Sequence, residues 1–272
     1  MKKSLKYREA LTDVRRVVVK IGSRVLVQKS GRPDARRMRA LIQQLSALHM
    51  EGKEVVVVTS GAVGAGMEAL GLGKRPATLP EQQMAAAVGQ TRLMSRYSEL
   101  FSARGVNVGQ VLLTHHDFQH KIRMTNARRT MEIMIRNRVI PIINENDVVA
   151  DEEIRADMVL RDNDYLAALV VKLIRADLLL LLTTVDGLRE AGKSGRTRRV
   201  RYLETINRNT FALVTESRSR LSKGGMASKL KAAKSVSRAG CSAVIANGRK
   251  DDVIIRTMAG EDVGTLVLAS AL

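Results

Sequence analysis

The chain has 272 residues, of which 45% are hydrophobic and only 3% are aromatic. Its core must therefore be aliphatic, and its longest apolar runs are far too short for a helix that crosses a bilayer. The formal net charge is +19, which we interpret as a solubilising surface and a funnel for anionic substrates. Nucleic-acid binding is the alternative, but no nucleic-acid motif accompanies the charge and few aromatic residues could stack on bases.

The cysteine content indicates the cellular compartment. Cys241 is the only cysteine, which excludes an intramolecular disulfide. The basic start of the chain is not followed by the apolar stretch of a secretory signal. We therefore expect a cytoplasmic protein that does not associate with a membrane.

Short aliphatic runs alternate along the chain with helical patterns. Most of these runs are continuously apolar, as is typical of strands buried on both faces of a parallel sheet. The predicted strands cover residues 17–19, 55–58, 111–113, 139–143, 178–182, 243–245 and 265–268. The predicted helices cover residues 35–50, 81–102, 123–137, 164–175 and 226–239. This alternation predicts βαβ units in an α/β fold, with helices on both faces of a mainly parallel sheet.

The chain shows no internal repeat and no long linker. Its most irregular stretch, residues 189–201, is rich in Gly, Lys and Arg and predicts a surface loop or hairpin. A mild division near residue 175 separates two halves. We interpret these halves as two lobes of a single domain over residues 1–272.

Polar, small or charged residues follow four of the predicted strands, which is more than turns alone require. In open parallel sheets, ligands bind at the carboxyl ends of the strands. We therefore expect the functional site at these ends. The four segments are Lys20–Ser23, Thr59–Gly66, Asn144–Asp147 and Thr183–Gly187.

Two of these segments suit an anion. Lys20 ends a strand beside a turn at Gly22, so an ammonium and bare amides would face a phosphate. A surface lysine near a turn is the alternative. The small-residue loop Ser60–Gly66 opens a helix, and its amides could hold a carboxylate or a phosphate. A tight turn with close helix packing explains that loop equally well.

Carboxylates and amides are dense in residues 144–147 and again in residues 162–164. This density indicates recognition of an ammonium and a carboxylate, or organisation of Mg²⁺. Helix capping by Asp162 or Asn163 is an alternative that is compatible with the first interpretation. The stretch Gly224–Lys229 is predicted to open a helix, where glycines, a hydroxyl and a lysine suit a phosphate. A flexible loop before an amphipathic helix is the alternative there.

Residues 187–194 match the P-loop pattern literally and follow a predicted strand. A P-loop also requires that its Lys-Ser pair opens a helix with an apolar face. Here Gly195 follows at once, and the next residues form a basic run up to Arg201. We therefore predict that this segment is an exposed loop and not a P-loop.

Three histidines, His115, His116 and His120, cluster near the end of a predicted strand. Cysteine partners are missing, and Asp117 is weak support for a metal site. We expect no protein-bound metal at these residues.

In chain order, the segments of this sequence resemble the glutamate 5-kinases of the amino-acid kinase family. The resemblance covers nearly the whole chain, and VGQ-R-L and IPIINEND are its most specific parts. The matching segments are VVVKIGS (17–23), VVVVTSGAVGAG (55–66), AAVGQTRLM (86–94), VGQVLLT (108–114), NAR (126–128), VIPIINENDVVA (139–150), DNDYLAALV (162–170), LLLLLT (178–183), GGMASKLKAA (224–233) and VGTLV (263–267).

The resemblance implies a three-layer α/β/α sandwich, in which residues 1–175 bind glutamate and residues 176–272 bind ATP. The implied reaction is phosphorylation of the glutamate side-chain carboxylate by ATP with Mg²⁺, which gives γ-glutamyl phosphate on the path to proline. A homo-oligomer and transfer of the acyl phosphate to a downstream reductase are also implied.

The family's site residues carry over onto matching positions. Lys20 and Lys229 would act on the transferring phosphoryl group, and Asp164 would organise the two lysines as the third member of the catalytic set. The substrate-binding set is Ser60, Gly61, Ala62, Asp147 and Asn163. The ATP-binding set is Lys20, Gly22, Thr183, Thr184, Lys223, Gly224, Gly225, Met226, Ala227, Ser228 and Lys229. No residue is assigned to a metal.

The chain departs from the family's pattern mainly on the nucleotide side. Arg161 replaces a Gly, Thr184 an Asp, Arg189 a Tyr and Lys223 a Thr. These differences bear on the ATP geometry more than on glutamate binding. Many members also carry a C-terminal RNA-binding-like (PUA) domain, for which this chain, ending at Leu272, leaves no room.

Two alternatives to a glutamate kinase stay open from the sequence. One is a kinase of another small acceptor on the same fold, such as N-acetylglutamate or a nucleoside monophosphate. Free glutamate differs from the acylated acceptor by an ammonium, which needs a carboxylate such as Asp147. The other alternative is a catalytically weak regulatory or RNA-binding relative.

Overall fold

The computed structural model describes residues 7–28, 33–149, 163–191, 196–215 and 220–270, without the side chains of residues 215 and 220–224. The strands are β1 (Arg16–Ile21), β2 (Glu54–Val58), β3 (Asn107–Leu113), β4 (Val139–Glu145), β5 (Leu178–Thr183), β6 (Arg189–Ala191), β7 (Thr197–Arg199), β8 (Tyr202–Leu203), β9 (Ser242–Asn247) and β10 (Thr265–Val267). The helices are α1 (Ala35–Met50), α2 (Ala62–Ala69), α3 (Leu79–Ser102), α4 (His115–Gln119), α5 (Lys121–Arg136), α6 (Asn163–Ile174), α7 (Arg208–Thr215), α8 (Arg220–Ser237) and α9 (Val253–Met258).

Eight of the strands form one sheet in the order β3-β4-β2-β1-β5-β9-β10-β8. The strands from β3 to β9 in this order run parallel, and only the β9–β10 pair is antiparallel. The aliphatic runs form central strands because both of their faces are buried. The prediction of an α/β fold with a mainly parallel sheet is confirmed.

Helices cover the two faces of this sheet, so the fold has three layers. On one face α1, α3 and α9 pack on alternate strand residues such as Val17, Val55 and Leu178. On the other face α5, α6, α7 and α8 pack on the intervening residues, such as Val18, Val56 and Leu179. Among the described residues, no helix is both long and apolar enough to cross a membrane.

Helix boundaries follow local capping where a cap is present. Helix α1 begins after Asp34, whose side chain accepts a hydrogen bond from the amide of Arg37 at 2.9 Å. Helix α3 begins after Thr78, which forms a capping box with Glu81, and so starts two residues before its predicted position.

One predicted helix start is wrong. Helix α8 was expected to begin near Met226, with Gly224 and Gly225 opening it, but it begins at Arg220. The two glycines lie within the helix, since a helix tolerates Gly at a cost of about 1 kcal/mol per residue when its packing compensates. Their amides are therefore intrahelical and are not the free N–H groups of a helix N-terminus.

The stretch predicted as a loop or hairpin is a hairpin. Strands β6 and β7 pair antiparallel, with Arg189 opposite Arg199 and Ala191 opposite Thr197. Residues 192–195, which include Lys193 of the P-loop lookalike, lie outside the described residues. Since β7 follows directly, the segment does not open a helix from Thr197 onward, in agreement with the prediction that it is not a P-loop.

The order of the strands places a crevice at the centre of the sheet. From β1 the chain moves to β2 on one side, whereas β5 lies on the other side of β1 and leads to β9. Such a reversal of strand order leaves an open crevice at the carboxyl ends of the two central strands.

Candidate active site

The crevice at the ends of β1 and β5 contains two lysines that share one carboxylate. Lys20 reaches it from β1, Asp164 from the first turn of α6, and Lys229 from α8. The ammonium of Lys20 lies 2.7 Å from one oxygen of Asp164, and that of Lys229 lies 2.8 Å from the other oxygen. The predicted catalytic set is thus brought together by three separate elements.

This lysine–aspartate–lysine trio is buried and carries a formal charge of +1. Asp164 is fully buried, and the side chains of Lys20 and Lys229 are only 5% and 9% exposed. Buried charges require compensation, and within the trio two ammonium groups share one carboxylate. Two buried ammonium groups at this point suit the oxygens of an anionic ligand.

The turn after β1 joins the two halves of the crevice. The amide of Gly22 donates to the carbonyl of Leu182 at the end of β5, at 3.2 Å. A Cβ at Gly22 would lie 3.2 Å from that carbonyl and 3.9 Å from Nζ of Lys20. A side chain would thus be tight against the strand end and in ordinary contact with the lysine, which favours a glycine at this position.

A chain of side-chain amides forms the β2–β4 side of the crevice. Nδ2 of Asn163 lies 2.7 Å from the carbonyl of Thr59, 2.9 Å from Oγ of Ser60 and 3.0 Å from Oδ1 of Asn144, so its two hydrogens are shared among three acceptors. Nδ2 of Asn144 in turn donates to Oε1 of Gln90 at 2.8 Å. Because the carbonyl of Thr59 can only accept, Nδ2 of Asn163 must point at it, and this fixes the orientation of the other amides.

Two polar atoms of this amide chain are buried without a hydrogen-bond partner among the described residues. They are Oδ1 of Asn163, which can only accept, and Nε2 of Gln90, which can only donate. Since buried polar atoms are nearly always paired, these two are available to a ligand. An acceptor beside the trio suits an ammonium.

A buried tyrosine supports the strand end from below. The hydroxyl of Tyr97 lies 2.8 Å from Oγ1 of Thr59. Burial raises the pKa of Tyr97 to about 12, so its phenol stays neutral. The pair fixes Thr59, whose carbonyl orients Asn163.

The small-residue loop after β2 leaves backbone accessible to a ligand and also allows close packing of helices, the two roles that the sequence allowed. Gly61 has φ +112 and lies in open space, so the chain turns there with its backbone accessible to a ligand. Gly66 and Gly89 serve packing instead. A Cβ on Gly66 would lie 1.7 Å from the carbonyl oxygen of Ala85, and one on Gly89 would lie 1.8 Å from that of Ala62. This contact of α2 with α3 brings Gln90 to the crevice.

The remaining predicted substrate residue, Asp147, lies in the loop after β4, two residues beyond the strand end. Its side chain is half-buried, and β4 is the neighbour of β2 in the sheet. Asp147 therefore lies at the same edge of the sheet as Ser60 and Asn163. Asp162 and Arg161 lie outside the described residues.

The opposite side of the crevice is formed by β5, β9 and α8. Thr183 ends β5, Thr184 follows it, and both are half-buried. Asp186 accepts a hydrogen bond from Nδ2 of Asn247 at 3.2 Å, where β9 ends. Polar groups from two neighbouring strands thus meet at this edge.

Helix α8 runs beside these strand ends. The ammonium of Lys229, which α8 provides, donates to Asp164 of α6. It also donates to the carbonyl of Gly225, one turn earlier in α8, at 3.4 Å. Gly225, Met226, Ala227 and Ser228 form the turn that precedes Lys229. Gly224 belongs to the same helix, and the side chain of Lys223 lies outside the described residues.

Metal ligands are not clustered in the described part of the chain. No group of three or more His, Cys, Asp or Glu side chains there could hold a metal ion. His115 packs its ring 5.6 Å from Tyr165, and Asp117 receives hydrogen bonds from Thr114 at the start of α4. These residues therefore have structural contacts of their own.

Sequence reasoning missed three contributors to the site. Gln90 lay inside the VGQ-R-L segment but received no role, and neither Tyr97 nor Asn247 was considered. The signal for Gln90 was its place directly after Gly89. The signal for Asn247 was its position two residues after the predicted strand 243–245.

The chain is similar to known proteins in both sequence and fold. The sequence profile of the amino acid kinase family matches residues 15–247. A glutamate 5-kinase of Citrifermentans bemidjiense is 44% identical over 263 residues, which cover 96% of this chain and 69% of the relative. A glutamate 5-kinase of Symbiobacterium thermophilum is 43% identical over 262 residues, which cover 95% of this chain and 98% of the relative.

Two solved structures share the fold. A carbamate kinase from Giardia lamblia bound to AMP-PNP superposes with a TM-score of 0.65 at 17% identity, over 95% of this chain and 100% of its own. A UMP kinase from Bacillus anthracis superposes with a TM-score of 0.60 at 17% identity, over 95% and 97%. At this identity the two structures show the fold alone.

Proposed function

This chain belongs to the amino acid kinase family, and from this premise we propose that it transfers the γ-phosphoryl group of ATP to the side-chain carboxylate of glutamate. The product is γ-glutamyl phosphate, the first intermediate on the path to proline. The relatives named glutamate 5-kinase support the substrate, because they match almost the full length of this chain.

The observation that carries the proposal is the buried trio of Lys20, Asp164 and Lys229. A phosphoryl group in transfer carries negative charge on its equatorial oxygens, and catalysis consists mainly of positioning and of neutralising that charge. Two ammonium groups fixed 2.7 and 2.8 Å from one carboxylate provide cations that do not need to reorganise. We assign Lys20 and Lys229 to the phosphoryl oxygens and Asp164 to the positioning of both lysines.

The acceptor in this scheme needs no general base. A glutamate side chain has a pKa near 4.3 in water, so its carboxylate is already ionised at neutral pH. Its oxygen attacks the γ-phosphorus in line, and ADP leaves. The bond from phosphorus to the β–γ bridging oxygen breaks as the bond to the carboxylate oxygen forms.

Glutamate is assigned to the amide chain and the loop after β2. The acceptor Oδ1 of Asn163 and the carboxylate of Asp147 suit the substrate's ammonium, and the hydroxyl of Ser60 suits an oxygen of glutamate. The accessible backbone at Gly61 and Ala62 suits a carboxylate. This N-terminal lobe, residues 1–175, is therefore the proposed glutamate side.

ATP is assigned to the C-terminal lobe, residues 176–272. Gly22, Thr183 and Thr184 line its entrance from the strands, and the α8 turn from Gly224 to Lys229 lines the other side; Lys223 is assigned from the resemblance alone. Mg²⁺ fits as an ion brought by the ATP phosphates, because it keeps several waters and needs few protein ligands. Mg²⁺ would neutralise negative charge on the phosphate oxygens.

Two further proposals rest on the family. A homo-oligomer is the expected assembly. The acyl phosphate product is a reactive mixed anhydride, so direct transfer to a reductase that consumes it would limit its hydrolysis.

The test is a coupled assay of ADP release with ATP and Mg²⁺, in the presence and absence of glutamate. Hydroxylamine should trap the acyl phosphate as a hydroxamate only when glutamate is present. N-acetylglutamate and uridine monophosphate serve as alternative acceptors. If glutamate does not accelerate ADP release above the background, or if either alternative acceptor is preferred, the proposed substrate is wrong.

A further inference from the structure

Helices α6 and α8 form a second basic cleft on the outer surface of the protein. Its volume is about 490 Å³, and we call it the α6–α8 cleft. Lys172 lines it from α6. Lys231, Lys234 and Ser235 line it from α8, and Arg238 and Ala239 line it from the turn directly after α8.

The spacing of the sequence places these cations in one row. Lys231 and Lys234 are three residues apart and lie on the same face of α8. Arg238, four residues further and just past the end of the helix, extends this row, because its amide still donates to the carbonyl of Lys234 at 3.2 Å. Lys172 lines the same cleft from the neighbouring helix, so four positive side chains converge on it.

The fold does not use these four cations in the way it uses others. Lys53 donates to the carbonyls of Thr12 and Val14, and Arg104 donates to that of Leu100. Among the described residues, the ion pairs are formed by other cations. Of the four cleft cations, Lys234 lies over the ring of Phe211, with its ammonium 5.8 Å from the ring centre. Four like charges without a described carboxylate partner repel one another, and an anion would relieve this repulsion.

The cleft extends away from the candidate active site. Lys172 follows Asp164 by eight residues along α6, which is about 12 Å of helix axis. Arg238 lies in the turn directly after α8, nine residues beyond Lys229. Both cations lie next to the starts of β5 and β9, at the amino edge of the sheet. Lys231, two residues from Lys229, marks the end of the cleft that is nearer to the crevice.

The lining of the cleft indicates the chemistry of its ligand. A protein partner is normally held by aromatic or aliphatic anchors, whereas the cleft is lined by lysine, arginine, serine and alanine. Large exposed apolar residues of the described surface, such as Met50 and Ile122, are not among the lining residues. Phosphate groups are bound by lysine, arginine and hydroxyl donors of this kind.

We infer that the α6–α8 cleft binds a chain of phosphate groups. Its volume suits a ligand of several phosphates. The same chemistry is offered by a free oligophosphate and by the backbone of a single nucleic-acid strand. This inference does not depend on the proposed reaction, because it concerns a separate surface, and it revises the expectation that the positive charge serves only solubility and substrate steering.

The test measures binding of a fluorescein-labelled single-stranded oligouridylate by anisotropy across a salt series. The cleft variant carries Lys172→Gln, Lys231→Gln and Arg238→Gln, all at exposed positions. The control variant carries Arg36→Gln, Arg39→Gln and Lys74→Gln, which remove the same charge from exposed positions elsewhere, two of them on α1 across the sheet. Thermal melts of both variants confirm that they are folded.

We expect the cleft variant to lose about tenfold or more in affinity at low salt, while the control stays within about threefold. Loss of three phosphate contacts should also reduce the slope of log K against log salt by about 2. Displacement of the probe by tripolyphosphate as readily as by unlabelled oligonucleotide identifies a short phosphate chain as sufficient, and displacement by the oligonucleotide alone identifies the strand. The inference is overturned if the parent does not bind the probe, or if both variants lose affinity equally or not at all.

Discussion

Replacement of Asp164 by Asn tests whether one carboxylate organises both lysines. Asn has nearly the same shape, so the change removes charge rather than volume. One side-chain oxygen can still accept from one ammonium, but the amide N–H₂ group would face the other. The formal charge of the trio would rise from +1 to +2 inside a buried crevice.

The structure sets the size of the expected effects. Asp164 is fully buried and contacts both ammonium groups, and removal of one partner of a buried ion pair costs about 3–5 kcal/mol. We expect about 3 kcal/mol, since Lys20 and Lys229 retain slight exposure. For a domain of this size that corresponds to a fall in Tm of roughly 6–12 °C. We expect kcat to fall by about 10²- to 10³-fold, as for loss of one electrostatic donor.

Calorimetry and the coupled ADP assay measure these two effects. Mg·ATP should raise the Tm of the variant more than that of the parent, because the phosphates supply the negative charge that was lost. Asp13→Asn, at an exposed position, is the matched control and should leave both quantities unchanged. A variant with Tm within about 2 °C and kcat within about threefold of the parent would refute the reasoning.

Four further outcomes are expected. Lys20→Ala and Lys229→Ala should each lower kcat by about 10²- to 10³-fold with little change in KM for glutamate, since both act on transition-state charge; steady-state kinetics that show a normal kcat would remove that lysine from the mechanism. Asp147→Asn should raise KM for glutamate about 10- to 150-fold, the effect of a lost charge-assisted bond of about 1.5–3 kcal/mol, and an unchanged KM would reopen the N-acetylglutamate alternative. Lys193→Ala should leave kcat within about threefold, whereas a working P-loop would lose turnover. Burial raises the pKa of Cys241 to about 12, so a thiol reagent at pH 8 should label it only as fast as the protein unfolds, and rapid labelling of the folded protein would contradict this.

The elements that sequence predicted well are those whose signal is local. Residues 55–58 are continuously apolar because β2 is central and buried on both faces. Helix α1 matches its predicted bounds at both ends, because an apolar stripe and the Asp34 cap agree. The roles of Lys20, Asp164 and Lys229 were predicted from the family resemblance, and their approach to one another came only with the fold.

The parts that sequence could not predict depend on packing between distant segments. The Gly-Gly pair of α8 favours a loop locally, and only the contact of the helix with α6 and the sheet explains why the helix continues through it. Asn144 contacts Gln90 across 54 positions, and Asn163 contacts Thr59 across 104. No periodicity encodes such a network, because each member is an ordinary polar residue until the fold brings it to the crevice.

The geometry of the trio restricts the acceptor before its identity is considered. A hydroxyl acceptor must lose a proton as it attacks, and the carboxylate in contact with the lysines is that of Asp164. Both of its oxygens are already engaged by ammonium groups, at 2.7 and 2.8 Å. Because these contacts occupy the carboxylate, the site suits an acceptor that arrives ionised. The site must distinguish one ionised acceptor from another at the end of the substrate that does not react. There Oδ1 of Asn163 can accept a hydrogen bond, and Asp147 is a carboxylate. An ammonium can donate to Oδ1 of Asn163 and also carries the charge that suits Asp147, whereas an acylated nitrogen can donate but carries no charge, which is why free glutamate is the acceptor that this crevice favours.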